Sequence, residues 1–286
     1  MLIVDAHQHF WDPARGDYGW LKPDSPIHRL YSTDDLKPLL IQTGVDATIL
    51  VQAAPTTQES DYMLDIAQAT PWVLGVVGWI DLEAADAVAE VRERASDPLF
   101  LGVRPMLQDL HDPHWILRPG LAPALEAIAA EGLVFDALIR PDQITAISEL
   151  ARRHPQLSIV LDHGAKPRLG DGAAMQDWEQ SLAVLAGYAN VACKVSGLLA
   201  ELPPGGSRED VVRAITVLFD LFGPDRLIWG SDWPVLTLAG NYAGWFALAR
   251  DAVVAKDAGA MRAVMGGNAL NIYRPLESRL VRHIHT

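Results

Sequence analysis

Short apolar runs recur eight times along the chain, and a longer amphipathic segment follows each of them. The runs are rich in Val, Ile, Leu or Phe and lack regular polar alternation, which is typical of strands buried on both faces. They cover residues 2–8, 47–54, 73–81, 100–107, 133–139, 157–163, 191–197 and 226–234. Eight strand–helix units without a break in composition predict an α/β fold, a (β/α)8 TIM barrel, as a single domain over residues 1–286.

An open, doubly wound sheet is the structural alternative to a barrel. Such a sheet normally carries a glycine-rich, phosphate-binding turn after an early strand. In this chain the first predicted strand ends in His7-Gln8-His9 instead. The barrel is therefore the favoured interpretation.

Charge and cysteine content limit the classes of partner. The 23 Lys and Arg residues against 36 Asp and Glu give a formal charge of −13, which disfavours nucleic acid and anionic membranes. No apolar stretch approaches the ~20 residues of a membrane span, and no basic leader follows Met1. Cys193 is the single cysteine, so an internal disulfide is excluded. We expect a cytoplasmic protein that acts on a small molecule, with its oligomeric state left open.

Ionisable side chains stand at three of the predicted strand ends. His7 and His9 close the first strand, His163 closes the sixth, and Asp232 closes the eighth. In a parallel barrel the active site is built at the carboxyl ends of the strands, so these four side chains are expected to converge. Imidazole and carboxylate are the ligands of catalytic Zn²⁺. They also suit a general base with imidazole donors that polarise a carbonyl, and the residues alone leave both interpretations open.

Each of these residues has a structural alternative. A bare His-x-His is weak evidence, because His283 and His285 have the same spacing in a basic tail where we expect no site. His163 alone would also suit a hydrogen-bonded core histidine, and Asp232 a helix cap. The coincidence of the four residues at strand ends is what favours a site.

Polar residues near other strand ends are candidates for substrate contacts. Arg104 and Gln108 lie at and just after the end of the fourth strand, and Asp136 lies in the fifth. The alternatives are an ion pair between Arg104 and Asp109 or Asp136, and an ordinary loop position for Gln108. Three tryptophans are placed near the mouth, where they line a pocket or serve only in packing: Trp11, Trp79 and Trp233.

Lys194 lies in the seventh predicted strand, and the sequence leaves its role open. It is surrounded by apolar neighbours, so it is either part of the site or a structural ion-pair partner of a core acid such as Asp5 or Asp136. Cys193 falls on the opposite face of the same strand, which indicates a core residue rather than a nucleophile.

Several motifs together resemble the metal-dependent hydrolases of the amidohydrolase superfamily. They are "DAHQHFWD", "VVGWIDL", "LDHGAKP", "CKVSGL" and "GSDWPV". More narrowly they are similar to its sugar-lactonase branch, the L-fuconolactonase and L-rhamnonolactonase group, from Val4 to about Tyr273. The resemblance implies a distorted TIM barrel in which His7, His9 and His163 hold a metal or the lactone carbonyl. It also implies that Asp232 activates water and that Arg104 and Gln108 contact ring substituents.

The chain departs from the family pattern at two places. Pro105 and Met106 stand where members of the branch often have more polar residues, so the exact sugar is left open. The carboxylated lysine that the superfamily usually has at the end of the fourth strand is absent. We therefore expect at most one divalent metal ion, most suitably Zn²⁺, held by His7, His9, His163 and Asp232, and leave its requirement open.

The reaction that the resemblance implies is the opening of an aldonolactone by water. Asp232 would take a proton from the water and return it to the leaving alkoxide. The chain has no G-x-S-x-G motif, and Ser231 has no visible partner base. The alternatives are a lactonase for pyrone dicarboxylates or muconolactone, a metal-dependent decarboxylase on the same fold, and a barrel that binds a sugar acid without catalysis. Dianionic substrates need several arginines at the mouth, where the sequence offers chiefly Arg104 and Arg140.

Overall fold

A computed structural model describes residues 2–280, so His283 and His285 lie outside the described residues. Eight parallel strands pair in sequence order, each with the next. The strands are β1 Val4–Gln8, β2 Ala47–Val51, β3 Val73–Gly78, β4 Phe100–Val103, β5 Val134–Ala137, β6 Ser158–Leu161, β7 Val191–Val195 and β8 Leu227–Trp229. All eight predicted strands are confirmed, in shorter form than the apolar runs.

Helices follow the strands and surround them. They are α1 Thr33–Thr43, α2 Thr57–Ala69, α3 Ala87–Ala95, α4 Ala122–Ala130, α5 Ile144–Arg153, α6 Gly172–Ala186, α7 Arg208–Phe222, α8 Tyr242–Lys256 and the short α9 Asn268–Tyr273. Polar side chains fix several helix starts: Thr56 accepts from the Glu59 amide before α2, and Asp171 accepts from the Ala174 amide before α6. Gly44 ends α1 in the left-handed conformation, φ 73°.

The fold is a (β/α)8 TIM barrel, as the alternating pattern predicts, and the open doubly wound sheet is wrong. The prediction of one domain over residues 1–286 stays a prediction, because the description ends at residue 280. Within the described part of the chain, no helix has both the length and the apolar character needed to cross a membrane.

The barrel closes weakly between β1 and β8. Instead of a continuous ladder, the closure consists of one bridge between Gln8 and Trp233. Two backbone hydrogen bonds flank it, from Asp232 N to the His7 carbonyl and from His9 N to the Trp233 carbonyl, both 2.7 Å long. We refer to this closure, residues 7–9 against 231–233, as the seam. It places the end of β1 beside the loop that follows β8.

Two apolar clusters fill the molecule. The larger one lies between the barrel and its helices. The smaller one includes Val4, Ile49, Val134, Val160 and Ile228, one residue from each of five strands. Tyr273 of α9 belongs to this second cluster and is buried in it.

Candidate active site

Four side chains from three strand ends meet around one carboxylate oxygen. Asp232 Oδ1 lies 3.3 Å from His9 Nε2, 3.7 Å from His7 Nε2 and 3.8 Å from His163 Nε2. All four residues are at most 5 % exposed. The structure therefore brings together the four residues that the strand-end pattern places in one site.

Backbone geometry aims two of these side chains. His163 and Asp232 have positive φ values of 54° and 59°, in a region that residues other than glycine rarely adopt. The His163 ring lies against Gly197, where a Cβ atom would come within 2.5 Å of Nδ1. Glycine is therefore required at position 197 to leave room for the imidazole. The positive φ values of His163 and Asp232 are backbone strain, which the surrounding structure holds in place and which concentrates at functional sites.

The hydrogen bonds of His9 and His7 settle which ring nitrogen faces the site. His9 Nδ1 is 2.7 Å from the Val51 carbonyl, which only accepts, so Nδ1 donates and Nε2 presents a lone pair. His7 Nε2 is 3.3 Å from an Arg104 guanidinium nitrogen, which only donates, so this Nε2 also accepts. His7 Nδ1 lies 3.2 Å from Asp162 Oδ1 and 3.3 Å from Lys194 Nζ. A neutral ring carries one proton, so with Nε2 accepting from Arg104 we assign that proton to Nδ1, facing the Asp162 carboxylate. Both imidazoles therefore offer acceptor nitrogens to the site.

A charged network lies directly below His7, defined here as Arg104, Asp136, Asp162 and Lys194. Lys194 Nζ is 2.5 Å from Asp136 Oδ2 and 3.0 Å from Asp162 Oδ1, and Arg104 contacts Asp162 at 3.2 Å. The Tyr273 hydroxyl donates to the other oxygen of Asp136 at 2.7 Å. Two cations face two carboxylates, so the network is neutral as a whole, and buried charges persist only when paired in this way.

Burial and charge set the protonation states. Burial lowers the pKa of His163 to about 4 and holds the pKa of His7 well below its usual value, so both are neutral at pH 7. Burial opposes ionisation of Asp232, but its contacts with His163, His9 and His7 outweigh it and hold the pKa of this carboxyl below its usual range. Asp232 is therefore a carboxylate at neutral pH, available to accept a proton.

A cavity of about 200 Å³ opens above these groups. It is lined by His9, Trp20, Ala53, Arg104, Met106, Gln108, Asp109, Leu138, His163, Lys166, Asp232 and Val235. This volume lies below the ~300–1,000 Å³ typical of drug-sized ligands, which indicates a small substrate. We call it the catalytic cavity.

The predicted substrate-binding residues fall in different places. Arg104 and Gln108 line the catalytic cavity, whereas Asp136 lies in the network below it. Trp79 lines a neighbouring cavity. Trp11 and Trp233 are buried in an aromatic cluster around Tyr31, with ring centroids 5.4 and 5.2 Å from it. Of the two roles considered for Lys194, the structure shows the ion pair with Asp136.

Among the site residues that the sequence analysis does not single out, three have functional side chains: Trp20, Asp162 and Lys166. Asp162 directly precedes His163, and strict alternation along a strand would send the two side chains to opposite faces. The strand ends at Leu161, however, and the chain then turns, so both side chains reach the interior. The adjacent ionisable residues Asp162 and His163, directly after a strand, are the sequence signal that indicates both as site residues. Trp20 comes from the long segment between β1 and α1, where no periodicity marks it.

The acceptor nitrogens and carboxylates fit a divalent metal. His7, His9 and Asp232 offer ligand atoms within 4.8 Å of one another, and so do His7, Asp162 and His163. Tetrahedral Zn²⁺ with bonds near 2.0–2.1 Å separates its ligand atoms by about 3.3 Å, close to the 3.3–3.8 Å seen around Asp232. The chemistry of the donor set therefore matches a His/His/Asp metal site.

Fold and site together define a class: a TIM-barrel enzyme with a His-x-His pair after β1, a histidine after β6 and an aspartate after β8. Comparison with known proteins places the chain within that class. The family model of the amidohydrolases matches residues 4–274, and the chain belongs to this amidohydrolase family.

Relatives and solved structures support this membership. An L-fucono-1,5-lactonase of Burkholderia ambifaria is 44 % identical, with 95 % of each chain covered. A second L-fucono-1,5-lactonase, of Burkholderia multivorans, is 32 % identical over 98 % of this chain and 99 % of its own. The crystal structure of an amidohydrolase from Burkholderia multivorans with bound zinc has a TM-score of 0.90 at 30 % identity, covering 96 % of this chain and 100 % of its own.

Proposed function

We propose that this amidohydrolase opens a sugar lactone to the aldonic acid. The observation that carries the proposal is the ionised Asp232 beside three imidazoles at a small cavity. The two L-fucono-1,5-lactonases at 44 % and 32 % identity support it, because both match nearly the whole chain. The protein is accordingly a hydrolase that acts on a carboxylic ester within a ring.

Asp232 is the proposed base of the reaction. Its carboxylate accepts a proton from water as the water oxygen adds to the lactone carbonyl carbon. The tetrahedral intermediate then collapses with cleavage of the bond from the carbonyl carbon to the ring oxygen. The proton on Asp232 passes to that departing oxygen, so one carboxylate serves both steps and ends ionised.

Arg104 is the proposed electrostatic partner of the carbonyl. Its guanidinium lines the catalytic cavity and is held by Asp162 and by the carbonyl of Gln52. Fixed positive charge aimed at a developing oxyanion lowers the barrier, because it needs no reorganisation during the reaction. His7 and His9 present acceptor nitrogens, so as neutral rings they do not donate to the oxyanion. This favours the metal-binding role over the carbonyl-polarising role for these two residues.

We propose a single divalent ion, zinc by preference, held by His7, His9 and Asp232, with His163 completing the set. A zinc ion in this position would lower the pKa of its water to about 7 and polarise the carbonyl. Arg104 occupies the end of β4, where a two-metal centre of this superfamily would need a lysine. Metal analysis of the purified protein should find about one equivalent at most. Two tightly held ions would contradict the proposal.

The charge of the catalytic cavity favours a neutral polyol over a dicarboxylate. Its two cations already have partners: Arg104 pairs with Asp162, and Lys166 lies 3.7 Å from Glu201. Arg140 lines a different pocket, together with Arg168 and residues of α6. A dianionic lactone would therefore meet no spare cation among the described residues of this cavity.

Ring opening followed with a pH indicator tests the proposal. The panel contains fucono-, rhamnono-, galactono- and arabinonolactones, a pyrone dicarboxylate and an aromatic carboxylic acid, each with and without a chelator. We expect turnover of the neutral sugar lactones. A clear preference for the dicarboxylate, or release of CO₂ from the aromatic acid, would overturn it. Full activity after verified metal removal would leave Arg104 as the main electrophile.

We propose further that the protein works in the cytoplasm, as its single, buried thiol allows. Nucleic acid is not a proposed partner, since the net charge is −13.

A further inference from the structure

A second cavity of about 470 Å³ adjoins the catalytic cavity. Trp20, Met106 and Asp109 line both, so the two spaces share one wall. Asp232, His163 and Arg104 line the catalytic cavity, and none of them lines the second cavity. The second cavity therefore lies beside the catalytic cavity and apart from Asp232 and its histidine partners.

Aromatic rings form the walls of this second cavity. Trp79 and Trp115 line it but not the catalytic cavity, whereas Trp20 lines both. Trp20 is 38 % exposed, yet its indole nitrogen donates to the Ala53 carbonyl at 2.7 Å, which fixes the ring in place. The backbone of Trp79 is tied to Ser60 Oγ by two hydrogen bonds, of 2.8 and 3.1 Å. Fixed indole faces suit the flat C–H face of a sugar ring, since a large rigid apolar surface binds at little entropic cost.

Carboxylates complete the lining. Asp17 and Glu83 are paired with Arg15 and Arg118, at 2.8 and 2.9 Å. Asp81 and Asp109 also line the cavity, and within residues 2–280 neither has an ion-pair partner. Carboxylates accept hydrogen bonds from hydroxyl groups and repel other acids. Indole walls with unpaired carboxylates therefore favour a neutral, hydroxyl-bearing ring.

We propose that the second cavity is a subsite for a neutral sugar attached to the lactone. The enzyme would then accept lactones of oxidised disaccharides, with the lactone ring at Asp232 and the glycosyl ring between Trp79 and Trp115. Water adds to the lactone carbonyl and the ring ester bond breaks, as in the proposed reaction, while the glycosidic bond is untouched. This inference rests on the proposed lactonase function and adds a substrate class to it.

The native enzyme is tested first with three lactones: an aldonolactone of one ring, the lactone of an oxidised neutral disaccharide, and the same with a uronic acid as second ring. We expect the neutral two-ring lactone to match or exceed the one-ring lactone in kcat/KM, and the acidic one to fall below both. Turnover of the one-ring lactone with no turnover of the neutral two-ring lactone would overturn the subsite alone. Absence of turnover with all three would overturn the proposed function.

Two variants separate the cavities. Trp115→Ala removes one indole wall, and kcat/KM for the neutral two-ring lactone should fall roughly three- to tenfold, the size expected for one aromatic stacking contact. Gly19→Phe introduces a large side chain at another point of the cavity lining, where an added Cβ atom meets no atom within 4 Å. It should produce a similar or larger loss with the two-ring lactone.

The one-ring lactone is the internal control for both variants. Its kcat/KM should stay within about twofold of native, which also reports that each variant is folded. Equal losses on one-ring and two-ring lactones would assign these residues to general stability and overturn the subsite. Because Gly19→Phe removes no packing contact, it keeps the test decisive even if Trp115→Ala folds poorly.

Discussion

The interior of the barrel at the amino ends of the strands differs sharply from the interior at the carboxyl ends. On the amino-terminal side of the charged network, Val134, Val160 and Ala192 pack into the small apolar cluster. Two residues further along the same three strands, or just past the end of one, stand Asp136, Asp162 and Lys194, all fully buried. Side chains two residues apart point to the same face of a strand. The inner face of the barrel therefore changes from apolar to charged side chains over two residues.

The two regions are stable for different reasons. The apolar cluster gains from every atom removed from water, at roughly 25 cal/mol per Å². The charged network gains little by burial and persists because each charge has a partner. Tyr273 joins the regions: its ring belongs to the apolar cluster and its hydroxyl binds Asp136. Substitutions near the amino ends should therefore alter stability alone, whereas those near the carboxyl ends should alter activity or charge balance.

The largest effect is expected at Asp232. Asp232→Asn keeps the shape of the side chain but removes the proton acceptor, so kcat should fall by ~10²–10⁴-fold while the fold survives. Steady-state lactone hydrolysis and a thermal melt measure the two properties. Asp171→Asn is the matched control: Asp171 caps α6, and Asn caps equally well, so neither property should change. Near-native kcat in a folded Asp232→Asn protein would place the base elsewhere.

Lys194→Met should lower the free energy of unfolding, and we expect this to be its main effect. It leaves Asp136 and Asp162 facing each other with only Arg104 to balance them, and breaking a buried ion pair typically costs ~3–5 kcal/mol. Urea denaturation measures the loss. The double variant Lys194→Met/Asp136→Asn restores neutrality and should regain part of it. A double variant less stable than Lys194→Met would show that charge balance is not what holds the network.

The third prediction concerns Glu59, a buried carboxyl group at the carboxyl end of the barrel, and the pH dependence of stability. Its carboxylate accepts from the amides of Ala53 and Ala54, beside the catalytic cavity. Burial raises its pKa from 4.5 to about 7, although these hydrogen bonds oppose the rise. The folded state therefore binds the proton more tightly than the unfolded state, and its stability falls as pH rises from about 4.5 to about 7.

Glu59→Gln removes this titration. The free energy of unfolding of the native protein, measured relative to the Gln variant, should decline by up to about 3 kcal/mol between these pH values. Urea titrations at four or five pH values measure it. A difference that is constant with pH would show that the carboxyl group titrates normally in the folded state.

The smallest effect is expected in the apolar cluster. Ile49→Val removes one buried methyl group and should cost about 0.5–1.5 kcal/mol with kcat unchanged. Denaturation and lactone kinetics on the same preparation give both numbers. A kcat loss at this position would break the comparison, because it would mean that the apolar end of the barrel sets the geometry of the site.

The strand pattern predicts the fold well because burial on both faces leaves a strong signal in the sequence. The same pattern places His7, His9, His163 and Asp232 together, since strand ends in a barrel share one mouth. It fails where the chain leaves the strand. Asp162 keeps the face of Val160, but the chain turns at His163, so alternation no longer gives the direction of that side chain.

The strand pattern also does not predict whether a side chain lines the cavity or is buried away from it. Asp136 and Gln108 both follow from strand positions, but one lies in a neutralised network and the other lines the cavity. Trp11 lies next to the site in sequence and packs into aromatic neighbours, whereas Trp20, nine residues on, reaches the cavity. Loop residues take their position from tertiary packing, which local periodicity does not encode.

The seam has a consequence for synthesis of the protein. Asp232 lies 223 residues after His9, so a chain emerging from the ribosome carries the imidazoles long before the carboxylate that completes them. All eight strands can pair in order as they emerge, but the second edge of β1 waits for the loop after β8 to close the barrel. A nascent chain that stops short of this loop lacks Asp232, the proposed acceptor for the proton of water. We therefore expect hydrolytic activity to begin only when the two ends of the barrel meet, and its appearance would time that closure.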